Sequence, residues 1–185
     1  MRLGTRSGVH YYKQAPDDGF IPGLMRPRLA GYHVGDIEFS AAFDVDVNKV
    51  GLDLSQAIWA KPNNTVRFGE VPHLGVPVQR GMTHDGLGHY LSQIITKAPG
   101  PTVDIAGILR ETRTDVVVNF LPVGSEMATK WYVEQILDAG AASSTASPCS
   151  SRGKSTGGGA SRSMGCPWWA TTSSHRWAPP SSTGS

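Results

Sequence analysis

Residues 141–185 lack the residue types that a folded core needs. They contain no Ile, Leu, Val, Phe or Tyr and no acidic residue, although four of the chain's 17 Lys and Arg residues lie there. Without branched aliphatic side chains, this segment cannot bury enough apolar surface to offset the entropy cost of ordering it. We therefore predict that 141–185 is a disordered C-terminal tail.

Cysteine is scarce, and long hydrophobic runs are absent. The chain has two cysteines, Cys149 and Cys166, and both lie in that tail. Two cysteines exclude a disulfide-stapled fold and a four-cysteine zinc site. The first residues are polar and basic rather than an apolar leader, and no run of 18 apolar residues occurs. We expect a cytoplasmic protein with no membrane partner and no metal site.

Two features of the tail imitate binding motifs. Arg152–Thr156 resembles the end of a phosphate-binding loop, but Pro148 stands where that loop requires its first glycine. Trp168, Trp169 and Trp177 stand among basic residues as in a surface for stacking nucleic-acid bases. Four positive charges in 45 residues are sparse for that role. The sequence therefore predicts neither a phosphate loop nor a nucleic-acid partner.

The chain divides by composition into three segments. Segment 1–36 is rich in Gly, Pro and Arg and is predicted to be irregular apart from a helical stretch at Gly8–Gln14. Segment 37–140 alternates strand-like and helix-like patterns, and 141–185 is the tail. The elements predicted for the middle segment are, in order, strand Ile37–Phe43, a helical segment capped by Asp46 with Val47, Val50, Leu54, Ala57 and Ile58 at helical spacing, strand Gly75–Arg80, helices Gly88–Thr96 and Thr102–Thr112, strand Asp115–Asn119 and helix Glu126–Ala139.

This order of elements indicates the fold class. Strands that alternate with helices are typical of a parallel sheet built from right-handed crossover units, so an α/β fold with flanking helices is predicted. Asp115–Asn119 is β-branched and apolar at its centre, as a strand covered on both faces should be.

The first predicted strand ends in an acid. The apolar run Ile37–Phe43 has small residues at Ser40–Ala42 and is followed by Asp44. Such a run is either a buried strand that stops at a polar residue or a strand whose terminal carboxylate accepts hydrogen bonds from the ribose hydroxyls of a nucleotide. The pattern alone leaves both interpretations open.

Polar or glycine-containing segments follow all three predicted strands. The carboxyl ends of parallel strands meet at one edge of a sheet, and ligands bind in the crevice outside that edge. One crevice can therefore use residues from all three segments. The predicted cofactor-binding residues are Asp44, Arg80, Gly81, Thr83, Asn119, Leu121, Val123, Gly124 and Ser125.

Four motifs follow one another along the chain: Phe43-Asp44-Val45-Asp46, Asn63-Asn64-Thr65, Gln79-Arg80-Gly81-x-Thr83-x-Asp85-Gly86 and Leu121-Pro122-Val123-Gly124-Ser125-Glu126. In this order they resemble those of the bacterial myo-inositol-phosphate synthases, and the resemblance covers about Gly8–Gly140. The resemblance implies a Rossmann-like NAD domain of an enzyme that converts glucose 6-phosphate to inositol phosphate. It makes Asp44 the ribose ligand and puts Leu121–Ser125 against the nicotinamide half of NAD.

At its start the chain departs from this family. The family opens with a strand and a Gly-x-Gly-Asn-Cys-Ala-Ser turn that holds the pyrophosphate, and Met1–Ser7 does not match it. The family's opening strand would lie between the Ile37 and Val116 strands. NAD binding by this chain is therefore expected to be weak or lost. The resemblance also implies a homotetramer for the intact family, which is not expected for this chain.

Reading the tail one base out of frame restores two family motifs. With suitable synonymous codons, a frame that begins at the last base of the Ser143 codon turns Ser144–Arg152 into Val-Asn-Cys-Ile-Pro-Val-Phe-Ile-Ala, the family's next strand. The same offset turns Ala170–Ser181 into Gly-Asp-Asp-Ile-Lys-Ser-Gln-Val-Gly-Ala-Thr-Ile, a motif that carries a catalytic lysine. We interpret the tail as an out-of-frame translation, so this chain is expected to hold no catalytic residue and to be inactive.

Two other function classes remain open at the level of sequence. One is an NAD-dependent oxidoreductase of another family, and the other is a non-catalytic nucleotide-binding module. The order of the four motifs favours the synthase over both. Whether the chain is itself an enzyme is left undecided by its residues.

Overall fold

The computed structural model describes residues 4–17, 20–62 and 69–145. The motif Asn63–Thr65 and the tail from 146 onward lie outside these ranges. In chain order the elements are α1 (Gly4–Tyr11), β1 (Arg28–Leu29), β2 (Tyr32–His33), a 3-10 turn (Val34–Asp36), β3 (Ala42–Asp44), α2 (Leu54–Ala57), β4 (Val78–Arg80), α3 (Gly88–Ile94), α4 (Ile105–Glu111), β5 (Val116–Asn119), α5 (Glu126–Asp138) and β6 (Ala142–Thr145). No helix in the described ranges is long and apolar enough to cross a membrane.

The strands of the described ranges pair as three two-stranded sheets. β1 and β2 form an antiparallel hairpin, whereas β3 pairs with β4 and β5 pairs with β6, both in parallel. The register aligns Asp44 with Arg80 and Asn119 with Thr145, so the polar residues that follow the apolar runs lie at matching strand ends. The predicted α/β fold with parallel strands is confirmed.

Two hydrophobic clusters support the two parallel sheets. The cluster behind β3 and β4 is formed by Ala42, Leu54, Ala57, Ile58, Val76 and Val78. The second cluster joins α4 and α5 to β5 through Ile105, Leu109, Ile136 and Ala141, with Val117 packed against it. Ala41 and Phe43 also pack against the second cluster. The β3 segment therefore contacts both halves of the molecule.

β3 and β5 share no backbone pairing in the described ranges. Their amino-terminal ends meet through side chains instead, because Ser40 Oγ lies 2.7 Å from Thr114 Oγ1. This arrangement agrees with the predicted order, in which the two strands are not direct neighbours. The two halves are thus joined by packing, by side-chain contacts and by the backbone bond from Val103 N to Arg80 O.

The helix predicted to begin at Asp46 is wrong. Residues 47–51 form turns, and α2 begins only at Leu54, with Asp53 as its N-cap. One helical hydrogen bond forms, from Val50 N to Asp46 O at 3.0 Å, but Gly51 has a φ of +89° and its N–H donates to Val78 O at 2.8 Å, so the chain leaves the helical path there. Tertiary hydrogen bonds override the helical spacing of the apolar residues here.

The prediction that β5 is covered on both faces is also wrong. Val116 and Val118 are 46% and 45% exposed, whereas Val117 packs on the second cluster and Asn119 is buried. Alternate residues of a strand point to opposite faces. One face of β5 is therefore covered by helices and the other is open among the described residues.

Both ends of the described chain are more regular than predicted. Segment 1–36 contains the β1–β2 hairpin, and its helix is Gly4–Tyr11 rather than Gly8–Gln14. The tail boundary at residue 140 also needs correction, since Ala142–Thr145 extend beside β5 as β6. Pairing with a preformed strand gives these small polar residues backbone hydrogen bonds that composition does not reveal.

Candidate functional site

Asp44 lies at the carboxyl end of β3, and its side chain is largely buried. Its side chain is 12% exposed, and its Oδ1 accepts from the backbone N–H groups of Val45 at 2.7 Å and Asp46 at 3.2 Å. Its Oδ2 lies 3.3 Å from Lys49 Nζ. A carboxylate has about four acceptor positions, and these contacts use three. Asp44 therefore retains capacity for a ligand hydroxyl.

Lys49 connects Asp44 to a second carboxylate. Its ammonium lies 3.9 Å from Oδ2 of the fully buried Asp46, whose Oδ1 accepts from both nitrogens of Asn48. The lysine side chain is itself only 15% exposed. One ammonium group therefore lies between two carboxylates at the end of β3.

Arg80 holds the chain that leads into α4. Its Nε donates to Ala98 O at 2.8 Å, and its Nη1 lies 3.2 Å from Thr102 Oγ1. Val103 N in turn donates to Arg80 O at 3.1 Å. These bonds fix the segment between α3 and α4 against the end of β4. Arg80 thus holds in place a segment that borders the predicted ligand crevice at the strand ends.

Tyr132 of α5 packs directly on Gly81. Its hydroxyl donates to Met82 O at 3.0 Å, and a Cβ added at Gly81 would collide with that hydroxyl. Burial is the main reason that the pKa of Tyr132 rises to about 12, and the nearby Asp44 charge adds to this. The phenol therefore stays neutral and remains a hydrogen-bond donor at any physiological pH.

We expect Gly81→Ala to lower the free energy of unfolding by about 1–3 kcal/mol, because the new methyl group overpacks the contact with the Tyr132 hydroxyl. In the double variant with Tyr132→Phe, the obstructing oxygen is gone, and the alanine should cost less than it does alone. Urea denaturation of the four proteins of this cycle measures the coupling. Equal costs of Gly81→Ala in both backgrounds would contradict the contact.

Asn119 ends β5 beside the Leu121–Ser125 turn. Its side chain is buried, and Oδ1 accepts from Leu121 N at 2.8 Å. The amide nitrogen Nδ2 is also buried and has no hydrogen-bond partner in the structure. Buried polar groups are nearly always paired, so an unpaired one needs an explanation.

Asp85 occupies the amino terminus of α5. Its two carboxylate oxygens accept from Met127 N at 2.9 Å and from Ala128 N at 2.8 Å. Burial alone would raise the pKa of Asp85, but the backbone N–H groups of Ala128 and Met127 lower it below its ordinary value. The loop after β4 is thereby clasped to the start of α5.

The structure brings together some of the predicted residues. Gly81 N donates to Asp44 O at 2.9 Å, and Asp44 aligns with Arg80 across the β3–β4 pair. The remaining predicted residues differ in exposure: Thr83, Asn119 and Ser125 are buried, Leu121 is half-buried, and Val123 and Gly124 are exposed. Tyr132 and Asp85 link the end of β4 to α5. No metal-ligating cluster of His, Cys, Asp or Glu occurs in the ranges that the structure describes.

Sequence reasoning missed Lys49, Asp85 and Tyr132. Lys49 follows Asp44 by five residues across a turn, and Asp85 and Tyr132 act over 43 and 50 residues of chain separation. Only Asp85 carried a local signal, since an Asp-Gly pair after a strand marks a turn that can present a carboxylate. The other two contacts depend on tertiary packing.

Comparison with curated proteins finds several inositol-3-phosphate synthases that are similar to this chain. The chain is 48% identical over 141 residues to inositol-3-phosphate synthase from Mycolicibacterium smegmatis and to that from Mycobacterium tuberculosis, covering 76% of this chain and 39% and 38% of the two relatives. The Corynebacterium glutamicum inositol-3-phosphate synthase is 46% identical over the same length. No family model matches the chain.

One solved structure supports the fold. The crystal structure of Ari2 superimposes with a TM-score of 0.62 and 29% identity, covering 78% of this chain and 42% of that chain. The 185 residues span about two fifths of the curated relatives that they match. With identities of 46–48% over three quarters of its length, this chain corresponds to part of a bacterial inositol-3-phosphate synthase.

Proposed function

We propose that this chain forms part of the NAD site of an inositol-phosphate synthase. Asp44 is the observation that carries the proposal. It is a largely buried carboxylate at the carboxyl end of a parallel strand, and it keeps an acceptor position for a ribose hydroxyl. The intact enzyme would act on glucose 6-phosphate in the cytoplasm and supply inositol for phospholipid biosynthesis. The family resemblance supports this substrate.

The residues present fit NAD at two places. The carboxylate of Asp44 suits the adenosine ribose, and the unpaired amide of Asn119 offers a donor beside the Leu121–Ser125 turn. When bound, NAD would supply hydride-transfer chemistry for the sugar substrate. Tyr132 would orient the loop after β4 through Met82 O, and Arg80 would orient the segment between α3 and α4 through Ala98 O.

The chain supplies only part of what the reaction needs. Among residues 1–140, none occupies the position of the family's lysine motif, so catalysis is proposed to require residues outside this segment. The homotetramer implied by the family would likewise need them, and this chain alone is not expected to form it. The similar proteins argue against an NAD-dependent oxidoreductase of another family. Each of them that carries a functional name is an inositol-3-phosphate synthase.

Binding of NAD to the 185-residue chain tests the proposal. We expect a dissociation constant in the millimolar range, because no Gly-x-Gly-Asn turn that would hold the pyrophosphate occurs in this sequence. Asp44→Ala should weaken the affinity about tenfold or more, as for loss of a charged hydrogen-bond acceptor. Asp138→Ala, an exposed carboxylate paired with Arg110, is the matched control and should bind like the parent. Saturation-transfer NMR detects binding in this range.

Two results would contradict the proposal. If NAD shows no saturation transfer with the folded parent chain, the segment does not form an NAD site. If Asp44→Ala binds NAD as the parent does, Asp44 is not the ribose ligand. A micromolar dissociation constant would instead contradict the expected weakness of binding and would point to phosphate contacts elsewhere in the chain.

A further inference from the structure

A turn near the start of the chain presents large apolar side chains to solvent. Phe20 and Met25 are 92% and 97% exposed. The turn between them, which we call the apolar turn, is tied to the chain after α1, because the Tyr12 hydroxyl donates to Pro22 O at 2.8 Å. Exposed apolar groups that lie together on a fixed turn, rather than singly on the surface, indicate a contact surface for another molecule.

A cavity of about 270 Å³ lies at the same end of α1. Its apolar lining residues come from α1, from the segment that enters β3 and from the segment that enters β4, and they are Val9, Ile37, Phe39, Val71 and Leu74. Ile37 is 51% exposed, so the cavity opens at the surface. Because an apolar cavity of about 150 Å³ accommodates a benzene ring, this one has room for a methionine side chain.

The apolar turn and the cavity are neighbours on the surface. Tyr12, which binds the turn, is followed directly by Lys13, which lines the cavity. Gly35 also lines the cavity and lies against Lys13, since a Cβ at Gly35 would be 2.9 Å from Lys13 O. When a protruding group and a cavity lie side by side, two copies related by a two-fold axis can each fill the cavity of the other. Such a contact is closed and ends at two copies.

Charged groups beside the turn and the cavity have opposite signs. Arg26 follows Met25 directly, and Glu38 lines the cavity. Neither Arg26 nor Glu38 has a side-chain hydrogen bond or ion pair among the described residues. The basic lining residues, His10 and Lys13, come from α1 and the turn that follows it. Glu38 precedes β3, so the arginine beside an inserted Met25 has an acidic partner on that side of the cavity.

We propose that this chain binds a second copy of itself through a two-fold contact in which Met25 of each copy enters the cavity of the other and Arg26 pairs with Glu38. The unbranched methionine side chain adapts well to an irregular cavity. One turn and one cavity on each copy form a small interface, below the about 1,200 Å² that separates weak from stable complexes. We therefore expect a dimer with a dissociation constant of about 0.1 mM. This contact does not depend on NAD binding.

Sedimentation equilibrium of the 185-residue chain, from about 10 μM to about 1 mM, measures the association. Met25→Ser should weaken it about tenfold or more, because an apolar side chain is lost from both halves of the contact. Met127→Ser is the matched control, since Met127 is also exposed, at 64%, but lies on α5. It should leave the dissociation constant unchanged. Both variants should melt like the parent in dilute solution, where each methionine is exposed.

Charge reversal tests the pairing of Arg26 with Glu38. Arg26→Glu should weaken the association about fivefold, because it places two acids together in both halves of the contact. Adding Glu38→Arg to the same chain should restore it, as expected for two groups that act as a pair.

A filtered NOE experiment observes the inserted side chain directly. Chains that carry ¹³C in the methyl groups of the five methionines are mixed with unlabelled chains. The Met25 methyl signal is identified by its loss in Met25→Ser. We expect it to show intermolecular NOEs to Val71 and Leu74, and we expect none from Met127.

Four results would overturn the proposal. A parent chain that stays monomeric at the highest concentration would show that no second copy covers the apolar turn. Unchanged association of Met25→Ser would place the contact elsewhere on the chain. Assembly beyond two copies would exclude the two-fold arrangement. Failure of Glu38→Arg to restore the association of Arg26→Glu would exclude the charge pair.

Discussion

Replacing Asp53 by alanine is expected to lower the free energy of unfolding by about 3 kcal/mol. Asp53 is the N-cap of α2, and its Oδ1 accepts from Ser55 N at 2.9 Å and Leu74 N at 3.2 Å. Its Oδ2 accepts from Val76 N at 2.9 Å. One carboxylate thus joins α2 to the segment that enters β4, and its loss leaves several N–H groups unpaired.

The contribution of Asp53 should depend on pH. Burial alone would raise its pKa, but hydrogen bonds from Ser55 and Leu74 together with the charge of His73 lower it from 3.8 to about 2. Because the folded-state pKa is below the unfolded one, the stabilisation is present above pH 4 and is lost as the pH falls toward 2. At about 1.4 kcal/mol per pH unit, this interval corresponds to about 2 kcal/mol.

Urea denaturation at pH 7 and in a series from pH 5 to pH 2 measures both effects. Asp104→Ala is the matched control, because Asp104 also caps a helix but bonds only Gly107 N, at 2.9 Å, and should cost about 1 kcal/mol. The parent should lose more stability than Asp53→Ala between pH 4 and pH 2. Parallel pH curves for the two proteins, or equal costs of the Asp53 and Asp104 variants, would show that Asp53 has no special role.

The sequence predicted the elements whose pattern is local. β5 was expected at Asp115–Asn119 and is Val116–Asn119, and α5 was expected at Glu126–Ala139 and is Glu126–Asp138. A β-branched run and a long amphipathic segment after a Gly-Ser turn are strong signals. The class of the fold followed from the order of such elements.

Residues whose environment depends on distant contacts were predicted less well. Asp46 looked like a helix cap because an acid precedes apolar residues at helical spacing, but it is fully buried beside Lys49. Asp53, seven residues later, is the actual cap and also bonds residues 74 and 76. No local pattern distinguishes these two acids, since the difference lies in which backbone segments return to them.

Asp44, Arg80 and Asn119 lie at strand ends, as the sequence predicted, but the contacts among the candidate site residues were not predicted. The register of β3 and β4 brings Asp44 beside Arg80, as parallel pairing requires. The first N–H groups of α5, which suit an anion, are bonded to the Asp85 carboxylate of the same chain. Ligand roles for the predicted residues remain predictions, which the NAD-binding measurements above address.

The position of β6 bears on the interpretation of the tail as an out-of-frame translation. β6 pairs Val118 with Ser144 and Asn119 with Thr145, and the shifted frame would begin the family's next strand at residue 144. β6 therefore overlaps the position predicted for the family's next strand, with serine and threonine in place of the predicted valine and asparagine. Replacing Ser144–Arg152 by Val-Asn-Cys-Ile-Pro-Val-Phe-Ile-Ala would extend an apolar strand beside β5 and should raise stability.

Correcting the reading frame is expected to turn an inactive chain into an active enzyme. In the corrected frame, a lysine would stabilise the negative charge that develops on the sugar oxygen, a contribution that depends on a fixed position within about 0.5 Å. The present tail carries only Lys154, within a segment rich in Gly and Ser. We therefore expect no inositol phosphate from glucose 6-phosphate and NAD with the 185-residue chain. A version that adds the family's opening strand and the corrected frame after Ser143 should form it.

The matched control for that experiment is the version that carries the same added strand but keeps the present tail. It should fold its NAD half and remain inactive, because only the frame separates it from the active version. Product formation is measured for all three proteins under identical conditions, with NAD binding as an independent check of folding. Activity in the 185-residue chain, or none in a corrected protein that is folded and binds NAD, would show that the frame is not what separates this chain from its relatives.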